Sequence, residues 1–180
     1  MRRSMAIAAC LAAVLTGAAQ AQAKLGEKAP DFTLPDLDGK DFALAKLLEE
    51  KPVVIMFWCP TCPTVRHLES ELNEFAKANA ETIHFLAIAS NEEDSVASLK
   101  PRVQRAGYPF PVLRDEGNAV ADDYGARVTP HAYLIDKKGV LRYAGSVVGK
   151  DGEATLQPFV DALLAEKELP SITRTHREFG

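Results

Sequence analysis

Cysteine is scarce in this chain of 180 residues, which contains three cysteines and one tryptophan. So few cysteines exclude a small domain that is held together by many disulfides. Positive charge is not in excess either, because 21 Lys and Arg residues stand against 25 Asp and Glu residues, for a formal net charge of −4. An acidic chain is not expected to bind nucleic acid or an anionic membrane surface. With no internal repeat and no linker-like segment, the sequence predicts a single globular domain.

Long apolar runs are also missing, apart from one near the N-terminus. Residues 5–15 form an apolar run that follows a basic start and precedes small residues ending in Ala21-Gln22-Ala23. This order is typical of a secretory signal peptide, with cleavage predicted after Ala23. The run is well short of the roughly 20 residues that a membrane anchor needs. Apolar sequence also continues past Cys10, which argues against a lipoprotein signal at that cysteine.

Cleavage at this position would define three segments and would place the protein in the periplasm. Two arginines would be removed, so the formal net charge would change from −4 to −6. No second apolar stretch is long enough to span a bilayer, so no membrane insertion is expected after cleavage. The predicted segments are a signal peptide over 1–23, a domain over 24–168 and a polar tail over 169–180.

Cys59 and Cys62 would be the two cysteines left in the mature chain, because Cys10 lies in the predicted signal peptide. In an oxidising compartment, such a pair forms a disulfide unless a reductant acts on it. A bridge that closes so short a loop removes little chain entropy and adds little stability. The spacing therefore favours redox chemistry over a structural role.

The rest of the sequence alternates between apolar runs and amphipathic segments. Residues 52–58 are β-branched and aromatic without polar alternation, which is typical of a strand buried on both faces. Apolar residues then recur in steps of three and four from Val65 to about Ala80, which predicts an amphipathic helix. The pattern predicts a mixed, partly parallel sheet with helices on both faces. Further predicted elements are a strand over 83–89, helices over 94–106 and 119–124, a hairpin turning at 136–139 and a last helix near 156–164.

The C-x-x-C pair follows the first buried strand and stands at the start of the predicted helix. Residues at i and i+3 of a helix lie on one face, close enough for a disulfide after small adjustment. A helix N-terminus stabilises a thiolate, and Pro60 is predicted to occupy the first helical position. We therefore expect Cys59, nearer the helix end and the solvent, to attack. Cys62 would resolve the mixed disulfide, and Trp58 would cover the site.

The pair also has other interpretations, namely a static disulfide or half of a metal site. Two thiolates alone do not complete a tetrahedral zinc site, and the four histidines show no ligand spacing, so no metal or cofactor is predicted. Arg66 and His67 either assist a thiolate electrostatically or belong to a solvated helix face. At Thr129-Pro130, the local sequence alone favours an ordinary trans peptide bond.

Taken together, these motifs resemble the thioredoxin superfamily. The sequence Trp58-Cys59-Pro60-Thr61-Cys62-Pro63 after a buried strand looks like its active site. Thr129-Pro130 ahead of an apolar strand is similar to its cis-proline loop. The segment over 29–34 resembles the redoxin branch, which includes alkyl hydroperoxide reductase and thiol-specific antioxidant domains as well as periplasmic thiol–disulfide oxidoreductases.

This resemblance implies a thioredoxin-like three-layer α/β fold and a cis bond between Thr129 and Pro130. It implies that the backbone of Thr129 pairs with the substrate chain in the mixed disulfide. It also implies an exported thiol–disulfide oxidoreductase that exchanges with protein thiols and disulfides. A membrane or soluble thiol would serve as its electron donor. His131 would lie either near the site or packed within the strand.

Two departures from the family pattern leave alternatives open. Many thioredoxins carry a buried acid on the strand before the motif, whereas residues 52–58 contain none. Peroxidases of this branch place Thr or Ser three residues before the attacking cysteine, whereas Cys59 stands three residues before Cys62. The leading interpretation is reduction of protein disulfides. The alternatives are a thiol peroxidase, with one cysteine oxidised to sulfenic acid, and a copper-handling redoxin, because soft thiolates bind Cu(I).

Overall fold

The computed structural model describes residues 22–149 and 151–171, so most of the predicted signal peptide, with Cys10, and the tail from residue 172 lie outside it. Within these ranges, no helix combines the length and the apolar character that crossing a bilayer requires. The elements in chain order are β1 (Thr33–Pro35), β2 (Asp41–Ala43), α1 (Leu44–Glu50), β3 (Val53–Phe57), α2 (Pro63–His67), α3 (Glu69–Asn79), β4 (His84–Ala89), α4 (Val96–Ala106), β5 (Val112–Arg114), α5 (Ala119–Tyr124), β6 (His131–Ile135), β7 (Leu141–Gly145) and α6 (Gln157–Leu164).

The main sheet is mixed and has the strand order β5-β4-β3-β6-β7. Strands β3, β4 and β5 run parallel to one another, whereas β6 pairs antiparallel with both β3 and β7. All five residues of β3 are buried, as the unbroken apolar run predicts for a central strand covered on both faces. The predicted α/β fold with a mixed sheet is therefore confirmed.

Helices and loops cover both faces of the sheet and form two apolar clusters. One face packs Val54, Met56 and Trp58 against side chains of α2, α3, α4 and α6. The other face packs Val53 and Ile55, together with Phe57, against α1, α5 and the β1–β2 hairpin. Because successive side chains of a strand point to opposite faces, β3 contributes buried side chains to both clusters.

The predicted helix over 65–80 is divided into α2 and α3 at Leu68, whose dihedral angles are φ −98° and ψ 11°. Leu68 is 2% exposed, so packing holds this irregular residue in the core although the apolar periodicity continues through it. The first helical residue is Pro63. The prediction that Pro60 begins the helix is therefore wrong, and Pro60 lies in the turn before it.

Candidate active site

The two cysteines lie in a single turn at the carboxyl end of β3. The backbone N–H of Trp58 donates to the carbonyl oxygen of Ile88 (2.9 Å), which extends the sheet ladder up to the motif. The N–H of Cys62 then donates to the carbonyl oxygen of Cys59 (3.2 Å), closing the turn. Both cysteines are free thiols, and Cys62 is the residue immediately before the first turn of α2.

Cys59 is the more buried of the two, with 8% of its surface exposed. Its Sγ atom lies 3.0 Å from the hydroxyl oxygen of Thr61 within the same turn. The prediction that Cys59 stands nearer the helix end and the solvent is wrong. The helix begins three residues later than expected, because Pro63 rather than Pro60 takes its first position.

Cys62 is partly exposed and is surrounded by hydrogen-bonding groups. Its thiol donates to the carbonyl oxygen of Thr129, with an Sγ–O distance of 3.1 Å. Burial acts to raise the pKa of Cys62, but the Thr129 side chain and hydrogen bonds at Val65 and Thr64 outweigh burial and lower that pKa. Hydrogen bonds that a thiolate accepts stabilise its charged form, so Cys62 ionises more readily than an ordinary cysteine.

The loop that holds Thr129 comes from a distant part of the chain. The peptide bond between Thr129 and Pro130 is cis, as the resemblance implies and contrary to the local expectation of a trans bond. Pro130 is buried and leads directly into β6, whose residue His131 lies opposite Phe57 of β3. The pairing of these strands places Thr129 beside the cysteine turn.

Trp58 lies beneath the site rather than over it. The side chain is 1% exposed, and its ring meets the edge of Tyr108 at a centroid distance of 5.5 Å. Tyr108 in turn stacks on Phe110 at 5.2 Å, and burial together with the nearby Glu69 carboxylate raises the pKa of Tyr108 to about 12. The prediction that Trp58 covers the site is therefore wrong, because the aromatic ring is buried in the core.

Three other sequence candidates lie on the two elements that flank the site, Arg66 and His67 on α2 and His131 on β6. Arg66 and His67 are exposed on α2, and neither contributes to the lowered pKa of Cys62. His131 is 9% exposed, and its ring packs against Tyr133 at 4.5 Å. Within the described residues, no group of three or more His, Cys, Asp and Glu side chains is placed to hold a metal ion.

Sequence reasoning missed the hydroxyl groups of the turn and the length of the turn itself. The chain repeats Cys-Pro-Thr at 59–61 and 62–64, so either proline fits the first helical position. This repeat was the available signal, since it presents two candidate helix starts. A polar cleft of about 430 Å³ also opens beside Thr61, lined on its other side by Asn91, Asp94 and Arg102.

Comparison with known proteins identifies the family of this chain. The AhpC/TSA family matches residues 25–144. Thiol-disulfide oxidoreductase ResA of Halalkalibacterium halodurans is 35% identical over 123 residues, which span 66% of each chain. Chloroplastic peroxiredoxin Q of Triticum aestivum is 33% identical over 143 residues, spanning 73% of this chain and 63% of that protein.

A solved structure shares the fold over most of this chain. The crystal structure of a hypothetical protein from Sinorhizobium meliloti 1021 superposes with a TM-score of 0.76 at 32% identity. The superposition covers 84% of this chain and 90% of that one. The chain therefore belongs to the AhpC/TSA family, a redoxin family of thioredoxin-like fold, and it is an oxidoreductase.

Proposed function

We propose that the protein reduces disulfides of other proteins with the dithiol of Cys59 and Cys62. The observation that carries this proposal is the pair of free thiols in one turn, with a partly exposed sulfur whose pKa is lowered beside the cis-proline loop. One thiolate attacks the substrate disulfide to give a mixed disulfide, and the second thiol of the turn then displaces the substrate. The protein leaves the cycle as the Cys59–Cys62 disulfide.

The loop at Thr129 and Pro130 supplies the natural docking edge for the substrate chain. Thr129 already contacts the Cys62 sulfur through its carbonyl oxygen, so a peptide lying along this loop would bring its own sulfur close to the motif. The polar cleft beside Thr61 offers further room for the residues that flank the substrate cysteine. Main-chain pairing of this kind accepts many sequences, which suits a reductase of several proteins.

The reductase direction is supported by how the thiolate is stabilised. The groups that lower the pKa of Cys62 are neutral hydroxyl and backbone donors, with no lysine, arginine or histidine among them. Strong stabilisation of the thiolate favours the reduced form and makes a protein an oxidant. A site with neutral donors alone is expected to be less oxidising, and so to give electrons to its substrates.

The reduction potential of the Cys59–Cys62 couple tests this proposal directly. Purified protein is equilibrated in dithiothreitol or glutathione buffers, and the redox state is followed by the fluorescence of Trp58, the single tryptophan of the chain. We expect a value of about −270 mV, together with faster reduction of insulin disulfides by dithiothreitol when the protein is present. A value of about −120 to −180 mV would instead indicate an oxidase or isomerase. Absence of a reversible couple would exclude disulfide exchange.

Peroxide reduction is a second candidate, favoured by the accessible Cys62 and by the similarity to peroxiredoxin Q. The Cys62 thiolate would attack the peroxide oxygen, giving a sulfenic acid and releasing water or an alcohol. Condensation with the Cys59 thiol would release water and form the disulfide. Peroxide consumption driven by dithiothreitol, and abolished in Cys62→Ser, would support this activity. Consumption no faster than that of free dithiothreitol would exclude it.

Export to the periplasm is proposed from the signal-peptide pattern of residues 1–23. In an oxidising compartment, the reductase needs a membrane or soluble thiol donor to regenerate its dithiol. Fractionation of cells that produce the full chain, with mass measurement of the purified protein, tests both claims. We expect periplasmic protein that begins at Lys24, and the full-length chain in the cytoplasm would contradict the proposal.

A further inference from the structure

The two cysteines of the turn differ in access and in the groups around their sulfur atoms. Cys59 is 8% exposed and contacts the hydroxyl of Thr61, one residue before Cys62. Cys62 is partly exposed and contacts Thr129 on the cis-proline loop. The sequence predicts that Cys59 is the more accessible cysteine, whereas in the structure Cys62 is the more accessible one.

Disulfide exchange places three requirements on the attacking cysteine, and Cys59 and Cys62 differ in how well they meet them. The attacking sulfur must be reachable along the axis of the substrate disulfide, and it must carry a negative charge. It must also lie beside the backbone that holds the substrate chain. Cys62 meets all three requirements, because it is the more exposed cysteine, hydrogen bonds favour its ionised form and the carbonyl oxygen of Thr129 contacts its sulfur.

We propose that Cys62 forms the mixed disulfide with the substrate and that Cys59 resolves it. This inference rests on the proposed disulfide exchange. The Cys62 thiolate attacks one sulfur of the substrate disulfide, so the substrate S–S bond breaks and its other sulfur leaves as a thiolate that takes a proton. The Cys59 thiol then loses its proton to solvent and attacks the Cys62 sulfur. The second substrate thiol is released, and two electrons have passed from the protein to the substrate.

The position of Cys59 fits the resolving step. The backbone hydrogen bond from Cys62 to Cys59 (3.2 Å) keeps both residues in one turn, so the second attack is intramolecular. The Thr61 hydroxyl, 3.0 Å from the Cys59 sulfur, is placed to donate a hydrogen bond when that sulfur ionises. Burial meanwhile limits contact between Cys59 and an incoming protein disulfide.

The single-cysteine variants Cys59→Ser and Cys62→Ser of the signal-free chain test this assignment with 5,5′-dithiobis(2-nitrobenzoate) as the probe disulfide. We expect Cys59→Ser to form a stable mixed disulfide at neutral pH about tenfold faster than Cys62→Ser, because Cys62 is the more exposed cysteine and its pKa is lowered. The same ranking is expected when insulin is the disulfide and the trapped complex is detected by mass. Unchanged circular dichroism in both variants serves as the folding control.

Faster reaction by Cys62→Ser would overturn the assignment and return the attacking role to Cys59. Equal rates for the two variants would overturn it as well. If wild type shows no reversible couple and neither variant exceeds the rate of a free cysteine peptide, the proposed function itself fails. A reversible wild-type couple together with trapping at Cys59 would refute only the order of attack.

Discussion

At the scale of single residues, Thr129 is the partner that distinguishes the two protonation states of Cys62. The carbonyl oxygen of Thr129 accepts a hydrogen bond from the thiol at 3.1 Å. The Thr129 side chain is among the groups that lower the pKa of Cys62, which a hydroxyl donating to the thiolate explains. Removing the hydroxyl while keeping the carbonyl should therefore penalise the thiolate alone.

Thr129→Val, which has nearly the same shape, is expected to raise the pKa of Cys62 towards the ordinary thiol value. Thr129→Ser retains a hydroxyl and should leave that pKa close to wild type. The measurement is the pH dependence of iodoacetamide alkylation in a Cys59→Ser background, where Cys62 is the reacting thiol. Identical midpoints for the valine and serine variants would show that the backbone at Val65 and Thr64 suffices.

The lowered pKa of Cys62 also predicts how the stability of the reduced protein depends on pH. Between the folded and the unfolded pKa, the unfolded chain binds more protons, so the contribution to stability rises with pH across this window. It is fully present above the unfolded pKa and is lost as the pH falls through the folded value. Urea unfolding of reduced wild type and Cys62→Ser, from about pH 6 to about pH 9.5, should show this rise in wild type alone. A constant difference between them would contradict the shift.

Residue identities at the site could be predicted from the sequence, but the exposure of each sulfur could not. The C-x-x-C pair and the distant Thr129-Pro130 were both recognised from the motifs. The start of the helix depends on packing of Trp58 into the core and on the turn hydrogen bond at Cys62, and neither is encoded in local pattern. The local sequence offers two equivalent prolines, Pro60 and Pro63, and does not choose between them.

At the scale of elements, α5 shows how a buried charge fixes a short helix. Asp115 is 1% exposed, and its carboxylate accepts hydrogen bonds from the backbone N–H groups of Val120 (3.2 Å) and Ala121 (3.0 Å). The hydroxyl of Ser90 donates to the same carboxylate at 2.9 Å. Asn118 precedes the helix, but its side chain makes no capping hydrogen bond. The Asp115 carboxylate therefore takes its place as the acceptor for N–H groups of the first turn.

Asp115→Ala is expected to reduce the free energy of unfolding by about 2–3 kcal/mol, because buried donors lose a charged partner. Asp122→Ala on the same helix is the control, since Asp122 forms an exposed pair with Arg127 that contributes about 1 kcal/mol or less. Urea denaturation monitored by circular dichroism measures both. Equal losses in the two variants would show that Asp115 has no special role in holding α5.

Most of the longer elements from β3 onwards were predictable because each has a clear period or a clear stop signal. Helix α5, predicted over 119–124, ends before Gly125, which takes the left-handed conformation at φ 67° that favours glycine. The break at Leu68 was not predictable, since the apolar spacing runs through it. The pairing of β1 with β2 was missed for a related reason, because three-residue strands carry too little alternation to be recognised.

At the scale of the whole molecule, segments outside the regular elements at both ends of the described chain pack against the domain. Residues before β1 run alongside the β6–β7 hairpin. The N–H of Gly26 donates to Leu141, the N–H of Leu141 donates to Glu27 and the N–H of Ala29 donates to Gly139, each at 2.9 Å. At the other end of the chain, Leu169 packs against the cluster that contains Trp58. Ordered packing therefore reaches beyond the first and last regular elements.

The contribution of residues 24–29 to the stability of the domain shows where the folded domain begins. A chain that begins at Lys24 keeps all three hydrogen bonds to the hairpin, whereas a chain that begins at Pro30 loses them. Each hydrogen bond contributes about 1 kcal/mol, so we expect the free energy of unfolding of the shorter chain to be about 3 kcal/mol lower. Urea denaturation measures this difference. Its Cys62 alkylation profile should not change, because the hairpin edge and the cysteine turn lie in different parts of the sheet. Equal stability would place the domain boundary after residue 29 rather than at the predicted cleavage site, and a shifted thiol profile would reveal coupling between that edge and the site.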